Sequence, residues 1–452
     1  MFDKDFNSRD EFNRQSIALN IINLLESDVC ISPLIIDGGW GTGKTEFCCK
    51  LINLFREKDT SSIIYIDAYK SDHVDEPLLT ILSEVLKLIP EKDGKRQKAI
   101  NKILPAIRFG LKTSLKAGVG HLLKTDVADI AEGFENEVTQ ATNAAIDASV
   151  ENILKSHMEA EESLTTLQTV LTNISSKKPI TIFIDELDRC KPSYAIKLLE
   201  VIKHTFNVSN VKFVLVTNST QLEASIKHCY GNGVDAAKYL DKFINYKIAL
   251  PTTKKVPNTL ELHKVSYLHY RKLINDSTSL ANTSLKGEYR EQLFALVERT
   301  IAVHDTSLRE VETLVRHIEV LNIINPVFLQ TDRGFGYSML YMTGILFSVI
   351  TPNIALNIHS RNATAKQIGS LYDLDAIPIL SEDQWERPNH YEILTTLIAQ
   401  ECQLSNGFTI NEANKVAWHQ TFNSIFGRGA SLPRDVTGIL ASIIDSMHLY
   451  NS

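Results

Sequence analysis

The segment at residues 37–47, DGGWGTGKTEF, constrains the fold more than any other stretch of the chain. It contains the pattern G-x-x-x-x-G-K-[ST], carried by Gly38, Gly43, Lys44 and Thr45. A short apolar run at residues 31–36 precedes it, and apolar residues at helical spacing follow it. The order strand, glycine-rich loop and helix predicts a loop that holds phosphate. The alternative is a glycine-rich turn that matches the pattern by chance.

The residue types in this loop suit a phosphate group. A loop around phosphate must turn its N–H groups inward, and glycine tolerates the backbone angles that this requires. The following helix presents free N–H groups and the positive end of its dipole. We expect Lys44 to contact the outer phosphates and the Thr45 hydroxyl to bind Mg²⁺. The expected nucleotide contacts are Gly38, Gly39, Trp40, Gly41, Thr42, Gly43, Lys44, Thr45 and Glu46.

A second segment supplies carboxylates. Residues 180–184 are β-branched or aromatic, which predicts a buried strand, and this strand ends in Asp185. In P-loop enzymes a carboxylate at this strand end holds Mg²⁺, so Asp185 is the expected metal ligand. Glu186 is the candidate that polarises the attacking water, with Asp188 as its substitute. The alternative is a strand that ends in a charged, solvated turn.

A third strand is predicted at residues 211–216, followed by Asn218. Loops after parallel strands line the ligand crevice, so Asn218 is a candidate contact of the γ-phosphate or the attacking water. An asparagine that simply favours a turn is the alternative. Guanine-selective P-loop proteins carry Asn-Lys-x-Asp here, whereas this chain places Ser219 and Gln221 after the asparagine. ATP with Mg²⁺ is therefore the expected ligand.

Two more strands complete the predicted sheet, at residues 61–69 and 245–250. The carboxylate strand falls in sequence between the phosphate loop and the strand before Asn218, as in additional-strand, catalytic-glutamate P-loop ATPases, which include AAA+ and STAND proteins. The predicted fold class is α/β: a P-loop NTPase parallel sheet flanked by helices, with a helical insertion and a C-terminal all-helical domain. The expected core is in two pieces, residues 1–90 and 176–251, separated by an insertion at 91–175. Residues 252–452 are expected to form a helical lid and partner-binding domain.

The chain resembles the KAP family of P-loop NTPases across residues 10–75 and 176–320. The most specific points of resemblance are Trp40 inside the loop, the DELDR string at 185–189, and the YLDK segment at 239–242. The residues leave open whether Trp40 packs beneath the loop or faces a neighbouring subunit.

The chain departs from the family pattern at two places. The strand that usually ends in aspartate ends here in Asn218. A tryptophan that is common after the second strand is replaced near Ala68 and Tyr69. Neither departure removes a residue that the chemistry requires.

The resemblance implies a role for arginines. Residues 304–322 resemble the start of a helical lid, in which an arginine at the head of a helix reaches the γ-phosphate. Arg309 is the candidate, and Arg434 is a second one. A solvated or helix-pairing arginine is the alternative for Arg309.

Two further arginines lie near the motifs. Arg189 would reach the nucleotide of a neighbouring subunit, or pair with Asp185 or Asp188. Arg14 precedes an amphipathic helix that packs by the adenine in related ATPases, which makes it a candidate nucleotide contact.

The insertion at 91–175 is strongly split in charge. Residues 91–124 hold nine lysines or arginines against two acids, and residues 125–163 hold ten acids against one lysine. Apolar residues between the charges predict amphipathic helices. The two arms would pair with each other in a helical hairpin, contact another subunit, or present residues 92–124 to anionic lipid or nucleic acid.

Composition sets the broad class. The net charge of −7 argues against a chain that coats nucleic acid with its whole surface. Six cysteines without metal-ligand spacing and a polar, charged N-terminus lead us to expect a cytoplasmic protein. Residues 334–358 carry no charge, which predicts a buried helix from Tyr337 to about Ile350, with a membrane span as the alternative.

Together these features predict an ATP-hydrolysing switch or assembly ATPase. The family resemblance implies a homo-oligomer that works with a separate effector protein, plausibly in bacterial defence against phage. A non-hydrolysing scaffold gated by nucleotide and a DNA-handling motor are the alternatives. The motor would need a surface that binds DNA, for which residues 92–124 are the visible candidate.

Overall fold

The chain divides into two units, Met1–Leu250 and Pro251–Ser452. The structure is a computed structural model, and it describes residues 4–91, 94–104, 162, 164–255, 261–330, 334–380, 388–403, 405–426 and 431–448.

A parallel sheet of five strands forms the centre of the described part of the N-terminal unit. The strands are β1 (Leu34–Asp37), β2 (Ser62–Asp67), β3 (Ile180–Asp185), β4 (Val211–Thr217) and β5 (Tyr246–Ala249). Their order across the sheet is β2-β3-β4-β1-β5, and every neighbouring pair is parallel. Strand β4 thus lies between β1, which precedes the glycine-rich loop, and β3, which ends in the acidic residues. This order confirms the predicted α/β class and its additional strand.

Helices cover both faces of this sheet. They are α1 (Gln15–Glu26), α2 (Lys44–Lys58), α3 (Ala68–Ser71), α4 (Pro77–Leu86), α5 (Pro192–Thr205), α6 (Ser219–Tyr230) and α7 (Ala236–Asp241). Residues 95–104 and 164–175 are also helical. The rest of the predicted insertion, including most of its two charged arms, lies outside the described residues.

The strand side chains alternate between two apolar cores. In β3, Phe183 packs in a cluster with α1 and α2, whereas Ile182 and Ile184 pack with α4, α5 and α6. Successive side chains of a strand point to opposite faces, so a strand covered on both faces must be apolar throughout. All three side chains are fully buried, and each contributes about 1.5–3 kcal/mol through the hydrophobic effect.

Three strands, β1, β2 and β5, are shorter than the sequence predicted. The Asp67 side chain accepts a hydrogen bond from the Lys70 N–H and caps α3, so Ala68 and Tyr69 are helical rather than extended. Strand β1 begins at Leu34, directly after Pro33, which has no N–H to donate to a neighbouring strand.

The described part of the C-terminal unit is mostly helical, as predicted. Its helices are α8 (Val265–Asp276), α9 (Arg290–His304), α10 (Leu308–Ile324), α11 (Phe335–Ile350), α12 (Pro352–His359), α13 (Ala365–Ser370), α14 (His390–Ala399), α15 (Lys415–Phe426) and α16 (Val436–His448). An antiparallel hairpin precedes them, formed by β6 (Thr253–Lys255) and β7 (Leu262–Lys264). Strands of three residues are too short to leave a recognisable alternation in the sequence.

Helix α11 is the buried helix expected within the uncharged stretch. It packs against α9, α12 and α16, and its side chains are buried on all sides from Ser338 to Ser348. Pro352 ends this stretch of helix and occupies the first turn of α12. None of the helices in the described residues has the length and apolar character needed to cross a bilayer.

Candidate active site

The carboxyl ends of three neighbouring strands bring the predicted motifs together. Asp37 at the end of β1 pairs in register with Thr217 of β4, and Asp185 of β3 pairs with Val216. The glycine-rich loop and the acidic string therefore leave the same edge of the sheet, where ligands of open parallel sheets bind.

The loop adopts a conformation that depends on glycine at specific points. Gly43 lies in the left-handed region, with φ 84° and ψ 24°, and forms the N-cap of α2. A Cβ atom on Gly38 would lie 2.8 Å from the Thr42 hydroxyl oxygen. The loop closes tightly and delivers the chain into α2, whose first N–H groups are free to receive an anion.

Lys44 folds back onto the loop. Its ammonium donates to the carbonyl oxygens of Gly38 at 2.6 Å and Gly39 at 2.9 Å. Burial lowers the pKa of Lys44, while the nearby carboxylates of Asp188 and Asp185 oppose this shift. An ammonium has three N–H donors, so these two bonds leave a third donor that can contact a phosphate oxygen.

Asp185 is a buried carboxylate with protein donors on both oxygens. Its residue surface is 1% exposed, and its Oδ1 accepts the Glu186 N–H at 2.8 Å. Its Oδ2 accepts the Tyr65 hydroxyl at 3.2 Å, and the Thr45 hydroxyl lies near enough to help lower the pKa of the carboxyl. Burial raises the pKa of Asp185 to about 6, although these hydrogen bonds act in the opposite direction. The two predicted metal ligands, Thr45 and Asp185, therefore lie close together.

The oxygen donors at this point fit Mg²⁺, which prefers hard oxygen ligands and keeps several waters. Among the described residues, no three histidine, cysteine or acidic side chains converge as a metal cage. A cation here would be held by Thr45 and Asp185 together with phosphate oxygens and water, as is usual for Mg²⁺ at nucleotide sites.

Glu186 stands at the turn that follows β3. It has a left-handed backbone, with φ 60°, and its carboxylate pairs with the Arg189 guanidinium at 3.1 Å. The structure therefore gives Arg189 a partner that the sequence had not suggested, since the expected partners within the chain were Asp185 and Asp188. This ion pair orients the Glu186 carboxylate at the turn that follows β3.

Trp40 connects the loop to the acidic string. Its indole N–H donates to Asp188 Oδ2 at 2.6 Å, although the residue is 54% exposed. The other oxygen of Asp188 accepts the Thr217 hydroxyl at 3.1 Å. One carboxylate thus joins the phosphate loop, the turn after β3 and the end of β4, and both of its oxygens already have donors.

Arg14 supports the loop from the segment before α1. Its guanidinium donates to the Thr42 carbonyl at 3.1 Å and lies over the Phe12 ring, and the residue is 5% exposed. Arg14 therefore contacts the backbone of the loop, and its predicted contact with the nucleotide stays a prediction.

Glu46, another predicted contact, takes part in ion pairs with lysines. Its carboxylate lies 3.1 Å from the Lys4 ammonium and 2.9 Å from that of Lys50. Burial alone would raise the pKa of Glu46, but these two lysines lower it to about 2. The side chain is therefore ionised and already paired.

The remaining predicted residues are Asn218, Arg309 and Arg434, and the structure does not test their predicted contacts with the nucleotide. The Asn218 side chain caps α6 by accepting the Thr220 N–H at 3.1 Å, which is the turn-favouring role that the sequence also allowed. Arg309 lies in the first turn of α10, and Arg434 precedes α16; both are exposed within the C-terminal unit. Their roles as γ-phosphate contacts stay predictions.

Two residues at this edge were not predicted from the sequence. The first is Tyr65, which contacts Asp185. The second is Asp37, which accepts the Ser219 N–H at 2.8 Å and pairs with the Lys247 ammonium at 3.1 Å. Although burial opposes the change, these contacts lower the pKa of Asp37. Each partner is distant in sequence, so only strand order and register could have revealed them.

Comparison with known proteins agrees with the motif geometry. A family model described as the KAP family P-loop domain matches residues 14–325, more than half of the chain. No curated protein matches the chain. A solved structure described as a crystal structure of a DNA replication initiation factor aligns over 97% of this chain and 96% of its own, with 12% sequence identity and a TM-score of 0.31. A similarity of that size assigns neither a fold nor a function.

Proposed function

Because the chain belongs to the KAP family of P-loop NTPases, we propose that it binds ATP with Mg²⁺ on the Gly38–Thr45 loop and hydrolyses it to drive a molecular switch. The observation that carries this proposal is the placement of the phosphate loop, with Thr45, at the same sheet edge as the buried Asp185 carboxylate, one residue before Glu186. Phosphate-loop hydroxyl, metal-binding carboxylate and candidate base thus follow one another along one edge of the sheet.

Each residue at the site has a separate proposed role that follows from its position. Lys44 contacts the outer phosphate oxygens with the donor that the carbonyls of Gly38 and Gly39 do not use, which places a positive charge where negative charge develops. Thr45 and Asp185 would hold Mg²⁺, which when bound would neutralise charge on the phosphate oxygens.

Glu186 polarises the attacking water, and Arg189 holds its carboxylate in place. Asp188 is the less favoured base, because its two oxygens already accept hydrogen bonds from Trp40 and Thr217. Its assigned role is to tie the loop to the end of β4.

ATP is proposed over GTP because the end of β4 lacks the guanine-selective pattern. Ser219 and Gln221 stand where lysine and aspartate would be needed. The side chain of Asn218 is also used to cap α6.

The test is phosphate release from ATP by the full chain. Lys44→Ala and Glu186→Gln should each lower the rate by about 100-fold or more, because a positioned base alone supplies about 10²- to 10⁴-fold. Lys177→Ala and Glu57→Gln are matched controls on exposed residues and should keep the wild-type rate. A wild-type protein that binds ATP but releases no phosphate would overturn the hydrolysis proposal and favour the nucleotide-gated scaffold.

Family resemblance alone supports the wider role that we propose. In it, nucleotide state would control a homo-oligomer that acts with a separate effector protein in bacterial defence against phage. The cytoplasmic location stays a prediction, as does any contact of residues 92–124 with lipid or nucleic acid. Reconstitution with candidate effectors from neighbouring genes, with and without ATP, tests this role.

A further inference from the structure

The Tyr65 hydroxyl touches the centre of the site but belongs to neither sequence motif. It lies in β2, which is separated by β3 and β4 from the strand that leads into the phosphate loop. It donates to Asp185 Oδ2 at 3.2 Å. This contact joins residues 120 positions apart in the chain.

Strand register explains how the phenol reaches the carboxylate. Tyr65 of β2 pairs with Phe183 of β3, and Asp67 pairs with Asp185. Because side chains alternate along a strand, Tyr65 and Asp185 project from the same face of the sheet. Tyr65 lies opposite Phe183, two residues before Asp185. The length of the tyrosine side chain allows its hydroxyl to reach diagonally to the Asp185 carboxylate.

The local chemistry makes this donor hard to replace. The Asp185 residue is 1% exposed, so solvent has little access to supply a hydrogen bond that the protein loses. Rotation about the terminal torsion of an aspartate is broad, and the orientation of its carboxylate is therefore set by its partners. Here the Glu186 N–H fixes Oδ1 and the Tyr65 hydroxyl fixes Oδ2.

We propose that Tyr65 is a positioning residue for the divalent cation at this site, acting through the orientation of the Asp185 carboxylate. The inference rests on the proposed function, since it concerns the Mg²⁺ that accompanies the nucleotide. In metal sites, loss of a hydrogen-bonding partner behind a ligand typically lowers metal affinity by about 10- to 100-fold.

The experiment measures binding rather than turnover. A fluorescent N-methylanthraniloyl derivative of ATP is titrated into the full chain, once in EDTA and once with Mg²⁺, and the ratio of the two affinities is the gain due to the cation. Tyr65→Phe should match wild type in EDTA but lose about tenfold or more of the gain from Mg²⁺. Tyr194→Phe, which alters a buried phenol in the core on the opposite face of the sheet, should keep the full gain.

A double variant separates positioning from a general loss of packing. Asp185→Asn should remove the gain from Mg²⁺, and adding Tyr65→Phe to it should cause no further change, because the hydroxyl acts through that carboxylate. Thermal unfolding without ligand checks that each variant folds.

The outcomes distinguish the two hypotheses. A wild-type protein that gains affinity from Mg²⁺, beside a Tyr65→Phe variant with the same gain, overturns the inference alone. A double variant that binds the nucleotide more weakly in EDTA than Asp185→Asn alone would show a structural role and overturn it as well. A folded wild-type protein that binds no nucleotide under either condition overturns the proposed function, and this inference with it.

Discussion

In the absence of nucleotide and metal, Asp185→Asn should make the N-terminal unit more stable at neutral pH. The carboxylate is buried, and burial of a charge is costly. An asparagine keeps the same shape and its oxygen can still accept the Glu186 N–H. The hydroxyls of Tyr65 and Thr45 can rotate to accept from the new amide, so the change need not leave a buried donor unpaired.

The magnitude follows from the pKa of this carboxyl group. Burial, opposed by hydrogen bonds, raises the pKa of Asp185 from 3.8 to about 6. Since the pKa is higher in the folded chain, the stability that this group contributes is fully present below about pH 4 and is lost as the pH rises through about 6. A shift of about two units corresponds to about 3 kcal/mol. The variant should exceed wild type by up to this amount near pH 7 and by almost nothing near pH 4.

Urea unfolding followed by circular dichroism, in EDTA at several pH values, measures the difference in free energy of unfolding. Asp37→Asn is a control of opposite sign, because the hydrogen bond from Ser219 and the contact with Lys247 outweigh burial and lower the pKa of Asp37. Its stabilising contribution is present at neutral pH and is lost on acidification. A variant at position 185 that is less stable than wild type at neutral pH, or whose difference does not change between pH 4 and pH 7, would refute the reasoning.

Three further changes test other parts of the structure. Trp40→Phe should lower the free energy of unfolding by about 1 kcal/mol or less, because it removes a half-exposed hydrogen bond to Asp188 that water can replace in the unfolded chain; an undiminished effect in an Asp188→Ala background would contradict this. Gly369→Ala should destabilise the C-terminal unit by about 1–3 kcal/mol, since its Cβ would lie 2.2 Å from the Leu374 carbonyl oxygen, and an unchanged thermal midpoint would disprove the clash. Ser307→Ala removes the N-cap of α10 and should cost about 1 kcal/mol in urea unfolding, whereas no loss would show that its capping box contributes nothing.

Local sequence was sufficient to predict the elements of the site. The glycines before Lys44 and the apolar run that ends in Asp185 each carry their own structural information, because glycine tolerance and strand burial act over a few residues. The order of the strands in the chain also allowed the additional strand to be predicted. The uncharged stretch similarly predicted a buried helix, which the structure places at Phe335–Ile350.

Local sequence left several side-chain roles open. Asn218 could have faced the ligand or capped a helix, and its side chain caps α6. Arg189 had two expected partners within the chain, and it pairs instead with Glu186. In each case both choices satisfy the same local preferences, so the sequence pattern alone does not distinguish them.

Only the tertiary structure decided which residues support the motifs. Tyr65 meets Asp185 across 120 positions of sequence, and Trp40 meets Asp188 across 148. Such contacts depend on strand order, register and the face to which each side chain points. A motif fixes the residues that its own backbone brings together, whereas the hydrogen bonds that orient them come from elements that folding places alongside.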